Sequence, residues 1–219
     1  MHDFPITDVN KLKRYPNRGD YDKETIFAIV DEALICHVGF VVENQPYVIP
    51  TIHARLGDKL ILHGAAANRM LNHIAAGNPL CVTVTLVDGL VLARSVFHSS
   101  MNYRSAVLFG HGRLIEDDKE KLQAFEALTE HVARGRWNDA RKPTQKELDV
   151  TTAIAMEIET ASAKIRQGPP GDEEEDYQLP IWAGIVPLQL HAMPPVNDPK
   201  LSVHIPTPAY VQKYARGAK

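Results

Sequence analysis

Between Leu34 and Gly64 the chain reads LICHVGFVVENQPYVIPTIHARLGDKLILHG. Three apolar, β-branched runs are cut there by two short turn signals, NQP and Gly57-Asp58, and read as three strands of a meander. Pro50 inside the second run fits only an edge, a bulge, or a backbone that meets a ligand instead of a neighbouring strand. PLCVTVTLVDGLVLAR is a further strand with Asp88-Gly89 as a turn or bulge. AVLFGHGRLIED is another, in which the glycines at 110 and 112 suggest bulges or tight curvature. IWAGIVPLQLHA supplies a last strand. Five to six strands with one short helix between them predict a small antiparallel barrel.

Helical spacing appears in four places. TIFAIVDEA (Thr25 to Ala33) predicts a short helix, and AAANRMLNHIAAG a second, with Met70, Leu71 and Ile74 inward, Gly77 at its end and Arg69 one turn in. Asp117 caps DKEKLQAFEALTEHVARG, with Glu120 three residues on. Thr144 to Glu147 is a capping box that opens a long helix with the stripe Leu148, Thr152, Ala155, Ile158, Ser162, Ile165. GPPGDEEEDYQLP is a loop with a solvated acidic run. The tail from Met193 holds Pro194, Pro195, Pro199, Pro206 and Pro208 and is expected to be extended, with Leu201, Val203, Ile205 and Tyr210 on a surface. A chain of 219 residues that is 44% hydrophobic suits one domain with a sizeable core. The expected organisation is a single domain over 1–219: a core at about 20–192, a helical insertion at about 117–167 and the extended tail 193–219.

Charge narrows the function classes. Lys and Arg number 24 against 27 Asp and Glu, a net charge of -3, which gives no reason to expect nucleic-acid binding. No run reaches the roughly 18 apolar residues of a membrane span. MHDFPITDVNKLKRYPNRGDYD lacks an apolar signal-peptide core, so a cytoplasmic, reducing setting is expected. Cys36 and Cys81 lie in apolar runs and read as buried strand thiols.

Two clusters carry candidate chemistry. Gly64 and the alanines at 65–67 let an anion approach a helix start that Arg69 faces; alternatively, the small residues only permit close packing and Arg69 is a surface cation. His98 to Ser105, HSSMNYRS, is either a ligand edge or a hydrated hairpin loop. His37, His53 and His63 lie on successive strands, yet no HExxH or Cys–His spacing marks a metal site, and most of the ten histidines read as structural. GxSxG, GxGxxG and GxxxxGK are absent.

The succession CHVGFVVENQPYVIPTIHARLGDKLILHGAAANRML, LARSVFHSSMNYRSAVLFGHGRLIED, ASAKIRQGPP and LPIWAGIVPL resembles the FMN-binding split-barrel proteins. Within them it resembles the pyridoxamine 5'-phosphate oxidase-related branch that includes the nitroimidazole-resistance proteins. The resemblance implies a mostly β fold with added helices: a six-stranded, Greek-key-like antiparallel split barrel with peripheral helices. It also implies a homodimer with FMN at the subunit interface. Pro50, Thr51, Ile52 and His53 would run along the flavin ring. His63, Gly64, Ala65 and Asn68 would sit near the ribityl phosphate, which Arg69 would hold. Ser100, Asn102, Tyr103, Arg104 and Ser105 would approach from the second subunit, and Trp182 would close the pocket. Met70 stands where these oxidases carry a second cation, and no Arg-rich C-terminal signature follows WAGIVPLQL, which argues against B6 oxidation. The implied activity is that of an FMN-dependent oxidoreductase acting between a small-molecule donor and an acceptor such as a nitroaromatic, with His63 or His53 as proton donor. A flavin carrier or sensor, and a haem-binding split barrel using a histidine, are the alternatives.

Overall fold

The structure is a computed structural model that describes residues 3–202 and 204–214, so Val203 and residues 215–219 of the expected tail lie outside it. In chain order the strands are β1 (Gly19–Asp20), β2 (Ile35–Val42), β3 (Gln45–Ile52), β4 (Ala54–Leu56), β5 (Lys59–Ala65), β6 (Pro79–Leu92), β7 (Ser100–Leu114), β8 (Thr151–Glu157), β9 (Thr160–Arg166) and β10 (Gly184–Pro187). The helices are α1 (Lys23–Glu32), α2 (Arg69–Ala75), α3 (Asp118–Val132), α4 (Arg136–Asp139), α5 (Gln145–Asp149) and α6 (Ala209–Gln212). The class is the expected one, mostly antiparallel β with a few helices, but among the described residues ten strands stand where six were expected. No described helix is long and apolar enough to cross a membrane.

The chain divides into two compact units. Met1–Pro50, Pro79–Gly110 and Ile158–Gln189 form the first; Thr51–Asn78, His111–Glu157 and Leu190–Lys219 form the second. In the first unit β6 pairs with β2 through its start and with β10 through its end, while β7 pairs with β9 and β9 with β1. Cys36, Val38 and Phe40 alternate inward along β2, the period of a strand with one buried face. The β2–β3 connection turns at Glu43 and Asn44, both at positive φ, the two-residue geometry that matches strand twist. β3 ends the strand order, so Pro50 sits on an edge, one of the three places open to it. Asp22 caps α1 by accepting from Thr25 N–H, and the helix buries Ile26, Ile29 and Val30 at helical spacing.

In the second unit β8 lies between β5 and the end of β7, and β4 pairs with β5. Strand alternation assigns the two helices to opposite faces. Ile61, Ala153 and Ala155 share a cluster with Ala124 and Leu128 of α3. Gly64 and Gly112 abut Leu71 and Ile74 of α2. β8 is therefore covered on both sides, and Ala153, Ile154, Ala155 and Met156 are all buried.

That double burial explains the main correction. The expected helical insertion to residue 167 ends at Asp149, and residues 151–157 and 160–166 are strands. The capping box at Thr144 and Glu147 is present, but it opens a single short helix. The stripe beyond it combined β-branched Thr and Ile with Ala155, which together with Ala153 serves here as a small inward strand residue under α3, a packing demand that overrides helix propensity. Three smaller corrections follow. Arg69 is the first residue of α2, capped by Asn68, and is not one turn in. Asp88 and Gly89 lie inside the unbroken β6, with Gly89 close against β10. NYRS belongs to β7, not to a loop.

Candidate functional site

His63 lies near the end of β5 on the α3 side, because Gly64, its neighbour, faces α2. Its ring meets Phe125 of α3 edge-on, with centroids 6.3 Å apart. Its Nδ1 is shut away from solvent and has no hydrogen-bond partner. The ring borders a cavity of about 350 Å³ whose walls include Phe125, Leu128, Trp137 and Pro143. Burial pulls the imidazole below its ordinary pKa, so the neutral form dominates at pH 7. A neutral imidazole on the wall of a cavity lined by apolar, aromatic and a few polar side chains can ligate a bound group through a nitrogen that faces it, while the shielded Nδ1 carries the cost of an unmade hydrogen bond.

The walls are fixed locally. Glu130 on α3 accepts from the N–H groups of Gly135 and Trp137 at 2.7 and 2.8 Å, which sets the α3–α4 corner and with it Trp137. Lys142 lies 4.1 Å from the centre of the Trp137 ring. Arg141 forks onto Glu147 at 2.9 and 2.8 Å, and this fork together with Thr144 holds the Glu147 carboxyl down to about 2. Deeper in the unit, fully buried His53 lies 4.8 Å from His131 between ring centroids.

The C-terminal segment braces the same corner. Tyr210 donates to Asp139 at 2.8 Å, accepts from Arg136 at 3.3 Å, and lies against Gly135; Tyr214 donates to the Val132 carbonyl at 2.8 Å. Tyr210→Ala is expected to lower stability by about 1–2 kcal/mol. Limited proteolysis should then cut near Val132 faster than in the parent; an unchanged cleavage rate would count against the brace.

The sequence-predicted residues fall into two groups. Thr51, Ile52, His53, His63, Gly64, Ala65, Asn68 and Arg69 lie in the second unit, at the end of β3, in the link from β3 to β4 (His53), on β5 and at the start of α2; Pro50 ends the preceding segment of the first. Asn68 is occupied as the α2 cap, accepting from Leu71 N–H at 3.2 Å. Ser100, Asn102, Tyr103, Arg104 and Ser105 lie on β7 in the first unit, where Tyr103 to Ser105 pair with Arg166 to Lys164 of β9. Trp182, also in the first unit, is 65% exposed and packs over Gly184. His37 lies in the first unit, and no three His, Cys, Asp or Glu side chains among the described residues gather as a metal site. Cys36 is buried and its thiol is pushed up to about 12, while Cys81 is half-buried; neither is poised as a thiolate.

Arg104, expected to approach a flavin from the second subunit, is engaged inside its own unit. Its guanidinium donates to Asp88 at 3.0 and 2.7 Å and to Glu32 at 2.5 and 2.9 Å, and the two carboxylates raise its pKa further. The pair also offsets Glu32 at the carboxyl end of α1, where a negative charge opposes the helix dipole. Arg104→Ala leaves two half-buried carboxylates without a counter-charge and is expected to cost about 2–3 kcal/mol in urea unfolding. Arg104→Lys should recover only part of this, since an ammonium cannot fork to both.

Sequence reasoning missed Phe125, Leu128 and Trp137, which sit in the segment read as decoration. The only signal there was Trp137, one of the two tryptophans of the chain.

A sequence model of pyridoxamine 5'-phosphate oxidase matches residues 22–165. Among solved structures, the flavocytochrome Anf3 from Azotobacter vinelandii is 36% identical, with a TM-score of 0.90 over 96% of this chain and 98% of that one. The FAD and haem binding protein from Mycobacterium smegmatis is 36% identical, with a TM-score of 0.85 over 89% of this chain and 95% of that one. A candidate 5-nitroimidazole antibiotic resistance protein from Bacteroides thetaiotaomicron is 25% identical, with a TM-score of 0.58 over 67% of this chain and 86% of that one. No curated protein sequence matches significantly. With the matched span running from the start of α1 into β9, and with like structures along nearly the whole chain, this protein belongs to the pyridoxamine 5'-phosphate oxidase family.

Proposed function

We propose that this chain is a flavin- and haem-binding electron-transfer protein. The observation that carries the reading is the His63 ring on the wall of a cavity that Phe125 and Trp137 also line, its Nδ1 shielded from solvent and unpartnered. The names of the two relatives at 36% identity, one a flavocytochrome and the other an FAD and haem binding protein, support it. The cavity falls within the range of small-molecule and cofactor sites. His63 would hold the haem iron, and Phe125, Leu128 and Trp137 would keep water from the macrocycle. The flavin would lie along the backbone of Thr51 to His53 and Gly64 to Ala65, with Arg69 at its first phosphate. A flavin accepts two electrons and can pass them on singly, whereas haem iron takes one, so together they join a two-electron donor to a one-electron path.

FMN, the flavin that the sequence resemblance implies, and FAD present the same ring and ribityl phosphate, so these residues do not choose between them. A second copy of the chain would complete the flavin site with the Ser100–Ser105 segment and Trp182. The exposure of Trp182 and of Leu90, Leu92 and Val186 along β6 and β10 supports such a dimer. Reduction of small nitroaromatics rests on the 25% identical relative and is the narrower reading.

The test is the pigment of the purified protein, read as an absorption spectrum with acid extraction of the flavin and a pyridine haemochrome assay. A flavin band together with a Soret band is expected. Protein that carries no haem even after incubation with haemin would overturn the haem assignment, and protein with no flavin would overturn the flavin assignment. A monomeric mass in solution would remove the shared site.

A further inference from the structure

The first unit holds a second recess, which shares only Ser100 with the segment proposed to complete a partner's flavin site. It has a volume of about 790 Å³ and is bordered by Arg14, Tyr15, Arg18, Phe97, Ser100 and Arg166. Three guanidiniums converge there, and none of the three has a carboxylate partner among the described ion pairs. Arg14 and Arg18 both stack on the Tyr15 ring, 5.1 and 4.4 Å from its centre. Tyr15 reaches that position through a left-handed backbone, φ 57°, which an L side chain rarely adopts. Arg166 donates to Asn102 and to the carbonyls of Gly168 and Pro169, neutral acceptors that fix its direction but leave its charge uncompensated. Burial and the neighbouring Arg18 both disfavour its protonated form. The acids nearby are spoken for: Asp172 holds Arg94 and the backbone of Ser95, and Glu173 pairs with His98. Phe97 stands 89% exposed at the edge.

Like charges gathered without a counter-ion call for an anion of more than one charge, and guanidinium forks match phosphate oxygens. An exposed aromatic face beside them suits a planar base. We propose that this recess binds the adenosine-diphosphate end of a dinucleotide, its pyrophosphate between Arg14, Arg18 and Arg166 and its base against Phe97. The moiety has two sources, the distal arm of the protein's own FAD or a free nicotinamide dinucleotide. The FAD source rests on the flavin reading, whereas the free-dinucleotide source does not, since free ADP probes the recess whatever flavin the protein carries.

The experiment compares the purified protein with an Arg14→Ser, Arg18→Ser double variant and with Phe97→Asp, by calorimetric titration with ADP and by the amount of FAD each retains. Loss of ADP affinity by at least about tenfold in the double variant supports the recess as a site for a free dinucleotide. If the parent holds FAD and refuses ADP, an equally large loss of retained FAD in the double variant supports the recess as the site of the cofactor's own arm. ADP affinity and FAD retention both equal to the parent's overturn the proposal, as does a parent that neither binds ADP nor holds FAD. Should the double variant fail to fold, Phe97→Asp is read alone by the same criteria, because a side chain so exposed is not needed for the core.

Discussion

His63→Ala is expected to abolish the Soret band of the purified protein while the flavin band remains. The imidazole borders the cavity, and alanine offers iron nothing. Haem occupancy should fall by at least about tenfold, the range seen when an essential ligand or its support is lost. Free imidazole should restore the band by entering the vacated space, an outcome that a merely structural histidine would not give. Full haem occupancy in His63→Ala would end the assignment. His63→Leu separates binding from folding: it removes a buried polar atom that makes no bond, so the cofactor-free variant should be as stable as the parent or about 1 kcal/mol more stable. Acid acts through the same residue. Burial depresses its pKa, so below the ordinary value of 6.5 the unfolded chain takes up a proton that the folded one resists. Stability present above that value is therefore lost as the pH falls through it toward the lowered folded value, and His63→Leu should lack this part of the slope.

What the sequence could disclose was set by whether the signal was local. Asp117 and Thr144 announce helix starts because a cap and the N–H it accepts lie three residues apart. The Gly57-Asp58 turn and the edge position of Pro50 follow equally from local chemistry. The ion pairs of Arg104 were not legible because its partners are distant: Asp88 is 16 residues away and Glu32 is 72, and the fold brings both to it. Residues 151–166 were misread because their alanines obey a tertiary demand, to let α3 approach Ala153 and Ala155, while matching a helical stripe. The cavity was illegible for a related reason. Helical spacing in residues 118–132 tells that α3 has an inner face, but not that Phe125 of this face meets His63 of β5. In contrast, the local order of residues 51–69 was legible along the chain, since strand, turn, strand, small residues and a helix start follow one another.

Gly112→Ala is expected to destabilise the fold by about 2–3 kcal/mol, at the upper end of overpacking costs. A Cβ at this position would lie 2.3 Å from Ile74 Cγ2 and 2.9 Å from Ile154 Cγ2. Neither methyl can step aside cheaply. Both belong to fully buried β-branched side chains with little rotamer freedom, one on α2 and one on β8. The easier movement is for α2 to lift from the sheet, which would carry Arg69, its first residue, with it. Flavin affinity should therefore fall together with stability. Ile74→Ala on the Gly112→Ala background should return much of the loss by making room, a coupling between neighbours that independent sites do not show. Gly171→Ala, where an added Cβ would meet nothing within 4 Å, should change stability by less than about 0.5 kcal/mol and serves as the control. Equal midpoints for Gly112→Ala and Gly171→Ala in urea would sink the account. The GHG pair then has a reason that neither bulge nor curvature supplies: at 112 the missing side chain is the space into which α2 packs, and the start of α2 is where the flavin phosphate is proposed to rest.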